Sequence, residues 1–215
     1  MRRRDLFGIA ALAFMAAAGA AETQATDADL ARKLVEATPA IGERSLGKVH
    51  APVTVVEYAS ATCPHCAAFH NLVWAQFRDA YIDTGKVRWI FREFPLDDLA
   101  MAAFMLARCG PEERYFDIIA ALFGEQKIWV GGEGDTRAEL TRIMAGFGMT
   151  KDAFDACVQR QDLVEAIYGI AKSANQIFGV RSTPTFFIDG ELVSGAQEYS
   201  VFSAKVDAAL AKKGN

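Results

Sequence analysis

Residues 53–66 read VTVVEYASATCPHC, and they place two cysteines directly after a run of β-branched residues. The run at 53–59 predicts a strand, because β-branched and aromatic side chains fill it and turn residues bound it. The next segment, about 64–81, repeats large apolar residues roughly once per turn and predicts a helix. Cys63 therefore stands at the junction of a strand and a helix.

The segments that follow extend this unit into a sheet. Residues 87–94 (VRWIFREF) predict a second strand, and strand, helix and strand in this order form a βαβ unit with a right-handed crossover. Residues 185–188 and 191–193 flank an Asp-Gly pair and predict a β-hairpin with a two-residue loop. An amphipathic helix is expected at about 200–212.

The stretch between these parts is helical in pattern. Apolar residues recur there at helical spacing, and we expect four or five helices without a strand. Thr136 with Glu139, and Asp162 with Glu165, have the spacing of capping boxes. The chain is thus interpreted as α/β, with an all-helical subdomain inserted at residues 96–178.

The N-terminus has the pattern of a cleaved signal peptide at residues 1–20. A basic start precedes an apolar run that is too short for a membrane span, and small residues follow at Ala18 and Ala20. Arg3-Arg4 resembles a twin-arginine signal, although general secretion stays open. Residues 21–45 are read as an extension with one helix near 27–37, which packs on the body or trails from it.

Composition excludes several classes of protein. The 215 residues are 52% hydrophobic and 23% charged with a net charge of −4, which excludes a disordered chain and a coiled coil. No basic cluster suits nucleic acid. We therefore expect no nucleic-acid partner.

The Cys63-Pro64-His65-Cys66 motif carries the chemistry. A helix N-terminus offers unpaired N–H groups and a positive dipole end, and both stabilise a thiolate. Pro64 suits the first helical turn. His65 can favour the thiolate by charge or by hydrogen bonding, which makes the reduced form more stable and the disulfide a stronger oxidant.

Two other interpretations of the motif remain open. With His65, or with His70 one turn beyond Cys66, it could be half of a zinc or copper site, although the sequence has no second C-x-x-C or H-x-x-x-H pair. It could also be a purely structural disulfide. Otherwise His70 is expected at the surface or in packing.

In this motif and its surroundings, the chain resembles the DsbA family. Its members are periplasmic thiol:disulfide oxidases with a thioredoxin fold and a helical insertion. The resemblance rests on Cys-Pro-His-Cys, on Glu57 six residues before Cys63, and on Thr183-Pro184, and it covers about residues 45–210. It implies a thioredoxin-like domain at 46–95 and 179–215.

The resemblance also implies residue roles. Cys63 would be the exposed nucleophile, Cys66 its buried partner, and His65 the group that tunes the redox potential. Pro184, in cis, would keep a backbone edge open for substrate, and Thr183 would offer main-chain groups to it. Thr183 departs from the Val of the best-known oxidases and matches the isomerases.

The residues themselves leave two of these points open. Glu57 interrupts an apolar strand, so it is either buried, where it could shuttle protons to Cys66, or at an exposed strand end. Pro184 could equally be a trans residue at a strand edge.

Cys109 and Cys157 form a second pair, within the helical segment. Export and the even cysteine count favour a structural disulfide, and two free buried cysteines are the alternative.

These observations predict a monomeric periplasmic dithiol oxidase that donates the Cys63–Cys66 disulfide to reduced exported proteins. The family implies a membrane reoxidase as a second partner, and no cofactor or metal is needed. The alternatives are an isomerase or reductase of the same superfamily, and a copper- or zinc-binding protein that uses Cys63 and Cys66.

Overall fold

The computed structural model describes residues 26–214, so the expected signal peptide lies outside the described residues. Within this range the chain forms one five-stranded sheet and ten α-helices. The strands are β1 (Arg44–Leu46), β2 (Val53–Ala59), β3 (Val87–Glu93), β4 (Thr185–Ile188) and β5 (Glu191–Ser194). The helices are α1 (Asp27–Glu36), α2 (Pro64–Leu72), α3 (Trp74–Phe77), α4 (Asp98–Cys109), α5 (Tyr115–Gly124), α6 (Gln126–Trp129), α7 (Thr136–Ala145), α8 (Lys151–Cys157), α9 (Gln161–Phe178) and α10 (Tyr199–Lys213).

The sheet has the strand order β1-β3-β2-β4-β5. The β2 and β3 strands are parallel, as the βαβ unit requires, and the remaining pairs are antiparallel. The β4–β5 hairpin turns through Asp189 and Gly190, which both have positive φ values, 49° and 96°, as a tight two-residue turn demands. The α/β class and the predicted hairpin are confirmed.

Strand periodicity decides which side chains face the catalytic helix. Side chains alternate between the two faces of a strand, so Val55, Glu57 and Ala59 share one face of β2. Val55 and Ala59 pack into the core cluster that also contains Cys66 and Phe69 of α2. Glu57 therefore lies on the same side of the sheet as the cysteines.

The other sheet face is covered by α1 and α9. Val56 and Tyr58 of β2 pack there with Leu34 of α1 and with Ile170 and Phe178 of α9. The N-terminal helix is thus docked on the body rather than trailing from it.

Three details differ from the sequence-based expectations. The three-residue strand β1 adds to the sheet edge beside β3, where no strand was predicted. The expected helix at 64–81 is interrupted at Val73 and ends in a π-helical turn at Arg78–Ile82. Its apolar residues keep their helical spacing across the break, which hides it in the sequence.

Both predicted capping boxes are wrong. The α7 helix is capped by the Asp135 side chain, and Thr136 is already its first helical residue. The α9 helix begins at Gln161, so Asp162 lies inside the first turn and helps through its charge near the positive helix end.

The helical segment is attached to the sheet by a buried ion pair. Arg108 of α4 donates to both carboxylate oxygens of Glu93 on β3, at 2.5 and 2.9 Å, and the Tyr115 hydroxyl donates to the same carboxylate at 2.7 Å. The adjacent Cys109 forms a disulfide with Cys157. The C-terminal end of α4 is thereby fixed on two sides.

None of the helices in residues 26–214 has the length and apolar character needed to cross a membrane.

Candidate active site

The cysteine pair lies where β2 gives way to α2. Cys63 is the extended N-cap residue of α2, and Pro64 is the first helical residue, where its missing N–H removes no helical hydrogen bond. Both cysteines are free thiols. Cys63 is only 6% exposed, so the expectation of an exposed nucleophile is wrong for the residue as a whole. Cys66 is fully buried, so Cys63 is still the more exposed cysteine of the two, as expected.

The surroundings of the Cys63 sulfur lower the pKa of this thiol to about 5. The largest contribution is a hydrogen bond from the Cys66 thiol, opposed by partial burial. The Thr183 side chain and the backbone N–H groups of Cys66 and His65 add smaller contributions in the same direction. At neutral pH Cys63 is therefore a thiolate.

Cys66 has the opposite character. Burial raises the pKa of its thiol well above the usual value, and the neighbouring Cys63 and Glu57 charges raise it further. The sulfur of Cys63 is thus ionised, while that of Cys66 is protonated and fully buried.

The Thr183–Pro184 peptide bond is cis and faces the cysteines. When it is protonated, the Cys63 thiol donates a hydrogen bond to the Thr183 carbonyl oxygen, at 3.3 Å. The Thr183 hydroxyl oxygen is buried and has no hydrogen-bond partner among residues 26–214. It is therefore free to donate to the sulfur once Cys63 is ionised.

The His65 side chain lies apart from this network. It is exposed, and its imidazole makes no hydrogen bond with any of residues 26–214. The contribution of His65 to the Cys63 thiolate comes from its backbone N–H.

Glu57 is fully buried, which selects one of the two alternatives that the sequence left open. Nε2 of His70 lies 3.0 Å from each of its carboxylate oxygens, and the His70 side chain is 3% exposed. His70 had been expected at the surface, in packing or at a metal. Its position one turn after Cys66 was the available signal, but its partner could not be read from the sequence.

Gln126 is a second residue that sequence reasoning missed. It is buried at the start of α6, and its side-chain amide donates to the carbonyl oxygens of Ala61 and Cys63, at 2.7 and 2.9 Å. The helical segment thereby holds the loop that presents the cysteines. A contact between residues so distant in sequence leaves no local pattern.

A groove of about 360 Å³ runs beside the cysteines, between α2 and the α5–α6 junction. Its walls include Pro64, Ala67, Leu72, Phe123 and Lys127. Leu72 is largely exposed there, so the groove offers an apolar surface next to the reactive sulfur.

The possible metal ligands of the described residues are not clustered. Across residues 26–214 no group of three or more His, Cys, Asp or Glu side chains is arranged to hold a metal ion. The Nε2 atom of His70 is already occupied by Glu57.

Comparisons with known proteins agree with this geometry. A family model described as "Thioredoxin" matches residues 15–208. A Rickettsia bellii protein named "Putative protein-disulfide oxidoreductase" is 28% identical over 172 residues, which are 79% of this chain but 65% of that protein. The chain thus spans less than two thirds of this relative. The Bacillus subtilis "Disulfide bond formation protein D" is 25% identical over 193 residues, covering 83% of this chain and 82% of that protein.

A solved structure matches the chain over most of its length. The crystal structure of Wolbachia pipientis alpha-DsbA1 is 32% identical, has a TM-score of 0.76, and aligns over 83% of this chain and 96% of that one. The thioredoxin fold with a helical insertion is confirmed by this match. On sequence and fold together, the chain belongs to the DsbA family of thioredoxin-fold proteins.

Proposed function

We propose that the chain is a thiol:disulfide oxidoreductase that acts as a dithiol oxidase in the periplasm. The observation that carries the proposal is the asymmetry of the cysteine pair, since the pKa of Cys63 is lowered to about 5 and that of Cys66 is raised. A thiol of low pKa is a good leaving group in thiol–disulfide exchange. A stabilised thiolate also favours the reduced enzyme, which makes its disulfide a strong oxidant.

The reaction proceeds through a mixed disulfide. A substrate thiolate attacks Sγ of Cys63, the Cys63–Cys66 bond breaks, and Cys66 leaves and takes up a proton. A second substrate thiolate then attacks the substrate sulfur of the mixed disulfide and expels Cys63 as a thiolate. The substrate gains one disulfide, and the enzyme ends as the dithiol.

Neighbouring residues support these steps in different ways. The cis Thr183–Pro184 bond leaves main-chain groups facing Cys63, where an extended substrate segment can pair with them. Glu57 is the buried carboxyl that exchanges a proton with Cys66, and His65 acts through its backbone N–H. The Cys109–Cys157 disulfide is structural.

The family and the N-terminal sequence support a proposal for location and partners. We propose export by the signal peptide at residues 1–20, reduced exported proteins as substrates, and a membrane protein that reoxidises the Cys63–Cys66 pair. The enzyme acts as a monomer and needs no cofactor.

The reduction potential of the Cys63–Cys66 pair tests the oxidase proposal. We expect a value of about −120 mV, as for strong oxidants, whereas a value of about −270 mV would point to a reductase. Cys63→Ser should lose oxidation of a reduced test protein completely, and activity in that variant would contradict the mechanism.

Isomerase activity is the second candidate, favoured by Thr183 before the cis proline. Reactivation of a protein with scrambled disulfides distinguishes the two activities. An oxidase should form new disulfides quickly but reshuffle wrong ones slowly.

A further inference from the structure

His70 is a buried ionisable residue to which the exchange mechanism gives no role. Its Nε2 lies 3.0 Å from both oxygens of Glu57. The ring stacks on Phe123, with centroids 4.4 Å apart, and also contacts the rings of Trp74 and Phe91. Among the described residues, Glu57 is the only hydrogen-bond partner of the imidazole.

The dependence is mutual. The side-chain hydrogen bonds of Glu57 within residues 26–214 come from His70 alone. A carboxylate that is fully buried needs such a donor, because an isolated buried charge costs several kcal/mol. His70 thus fixes where the Glu57 carboxyl group points.

The chemistry requires a proton at this place. In the proposed function, on which this inference rests, Cys66 leaves as a thiolate and must be protonated inside the protein. The charge of Glu57 raises the pKa of the Cys66 thiol, so the carboxyl group and the sulfur are electrostatically coupled. Cys66 itself is fully buried and cannot take its proton directly from solvent.

We propose that His70 is a positioning residue that holds the Glu57 carboxyl beside Cys66 and relays a proton between that carboxyl and solvent. When the Cys63–Cys66 bond breaks, a proton passes from Nε2 of His70 to Glu57, and Glu57 delivers a proton to Sγ of Cys66. The imidazole then regains its proton from water, which it reaches through the 3% of its side chain that is exposed. Formation of the disulfide runs the same transfers in reverse.

The ionisable groups that act on this relay are few. Glu57 comes from β2, and Cys66 and Cys63 come from the first turn of α2 and its N-cap. The packing partners from α3, β3 and α5 are aromatic and uncharged. Changes in the pH profile of the relay can therefore be assigned to these groups.

The test uses His70→Ala with added small heterocycles in the full chain. General acid–base catalysis contributes about 10²–10⁴-fold, so we expect exchange with a reduced test peptide to slow about 100-fold. Imidazole in the buffer should restore much of the rate, and the restored rate should follow the imidazole pH profile. Pyrazole has the same ring shape but is a far weaker base, and it should restore nothing.

Asn71→Ala is the matched control. Asn71 is the next residue on α2 and donates to the Phe123 carbonyl oxygen, at 3.2 Å, so its loss loosens the same helix contact without removing an ionisable group. We expect this variant to exchange within a few-fold of the parent chain and to ignore imidazole. Alkylation of Cys63 should proceed at the parent rate in both variants, which shows that the reactive turn is intact.

The outcomes separate this inference from the function itself. A parent chain without exchange activity would overturn the proposed function. An active parent with an equally fast His70→Ala variant would overturn only the relay, as would equal rescue by pyrazole, which would show that the ring merely fills space. If His70→Ala does not fold, His70→Gln keeps an N–H donor for Glu57 but cannot relay, and the same 100-fold loss is expected.

Discussion

The chain holds two cysteine pairs that lie at opposite ends of helices. Cys63 is the N-cap residue of α2, where unpaired N–H groups face its sulfur. Cys109 and Cys157 are the last residues of α4 and α8, where the dipole end is negative. A thiolate is favoured at the first place and disfavoured at the second, so the same side chain has opposite reactivity in one molecule.

The two pairs also differ in the length of chain that they join. Cys63 and Cys66 are three positions apart in the sequence, whereas Cys109 and Cys157 are 48 positions apart. In the chain-entropy view, a long loop makes a disulfide strongly stabilising and a short one makes it weakly so. A disulfide between Cys63 and Cys66 would therefore stabilise the fold much less than the Cys109–Cys157 disulfide does.

The sharpest test of this difference is the pH dependence of stability. The pKa of Cys63 is lowered to about 5 in the folded dithiol form, compared with about 8.5 for an unfolded cysteine. The stability that the Cys63 thiolate gives to the folded state is complete above the unfolded pKa and is lost as the pH falls to about 5. In this window the free energy of unfolding should rise by up to about 1.4 kcal/mol per pH unit in the dithiol form relative to the disulfide form.

Urea unfolding of both forms at several pH values measures this effect. Other titrating groups are present in both forms, so they cancel in the difference. Cys66 changes the free energy of unfolding only above this pH range. Its pKa is raised in the folded state, so its thiol stays protonated throughout the range. If the free energy of unfolding had the same pH slope in both forms, Cys63 would not be a thiolate. The difference in slope should persist when the Cys109–Cys157 disulfide is removed.

Local pattern predicted the parts of the molecule that decide this comparison. The strands at 53–59 and 87–94 and the cysteine motif at a helix start were readable because their signals lie within a few residues of each other. Strand β1 was not, because its three residues are a strand only through pairing with β3.

Contacts between distant segments set the limit for the site. Glu57 could be singled out as an acid in an apolar strand, but its pairing with His70 depends on how α2 crosses the sheet. Gln126 reaches the cysteine loop from the far end of α5, which only the folded chain brings near. Such residues carry no pattern in their own neighbourhood.

The second disulfide should matter for stability rather than for exchange. Replacing both Cys109 and Cys157 by Ala removes a constraint on a loop of about 48 residues, which the chain-entropy model values at about 4 kcal/mol. We expect a clear fall in the urea midpoint and a rate of exchange through Cys63 within a few-fold of the parent. An unchanged midpoint would show that the buried Arg108–Glu93 pair already fixes α4.

The smallest expected effect concerns the pKa of Cys63 in the first cysteine pair. Thr183→Val removes the buried hydroxyl that can donate to the Cys63 thiolate but keeps the shape of the side chain. A hydrogen bond to a charged group contributes about 1.5–3 kcal/mol, so the pKa of Cys63 should rise by about one to two units. Ultraviolet absorbance of the thiolate during a pH titration measures this change, and Thr183→Ser, which keeps the hydroxyl, should leave it near the parent value.

His65→Ala is the comparison for the rise in the Cys63 pKa that is expected for Thr183→Val. Its imidazole is exposed and makes no hydrogen bond among residues 26–214, and the substitution keeps the backbone N–H that faces the sulfur. We therefore expect a smaller rise in the Cys63 pKa than for Thr183→Val. A larger rise would mean that the charge of the imidazole, rather than the buried donors around the helix start, makes Cys63 differ from the cysteines at the helix ends.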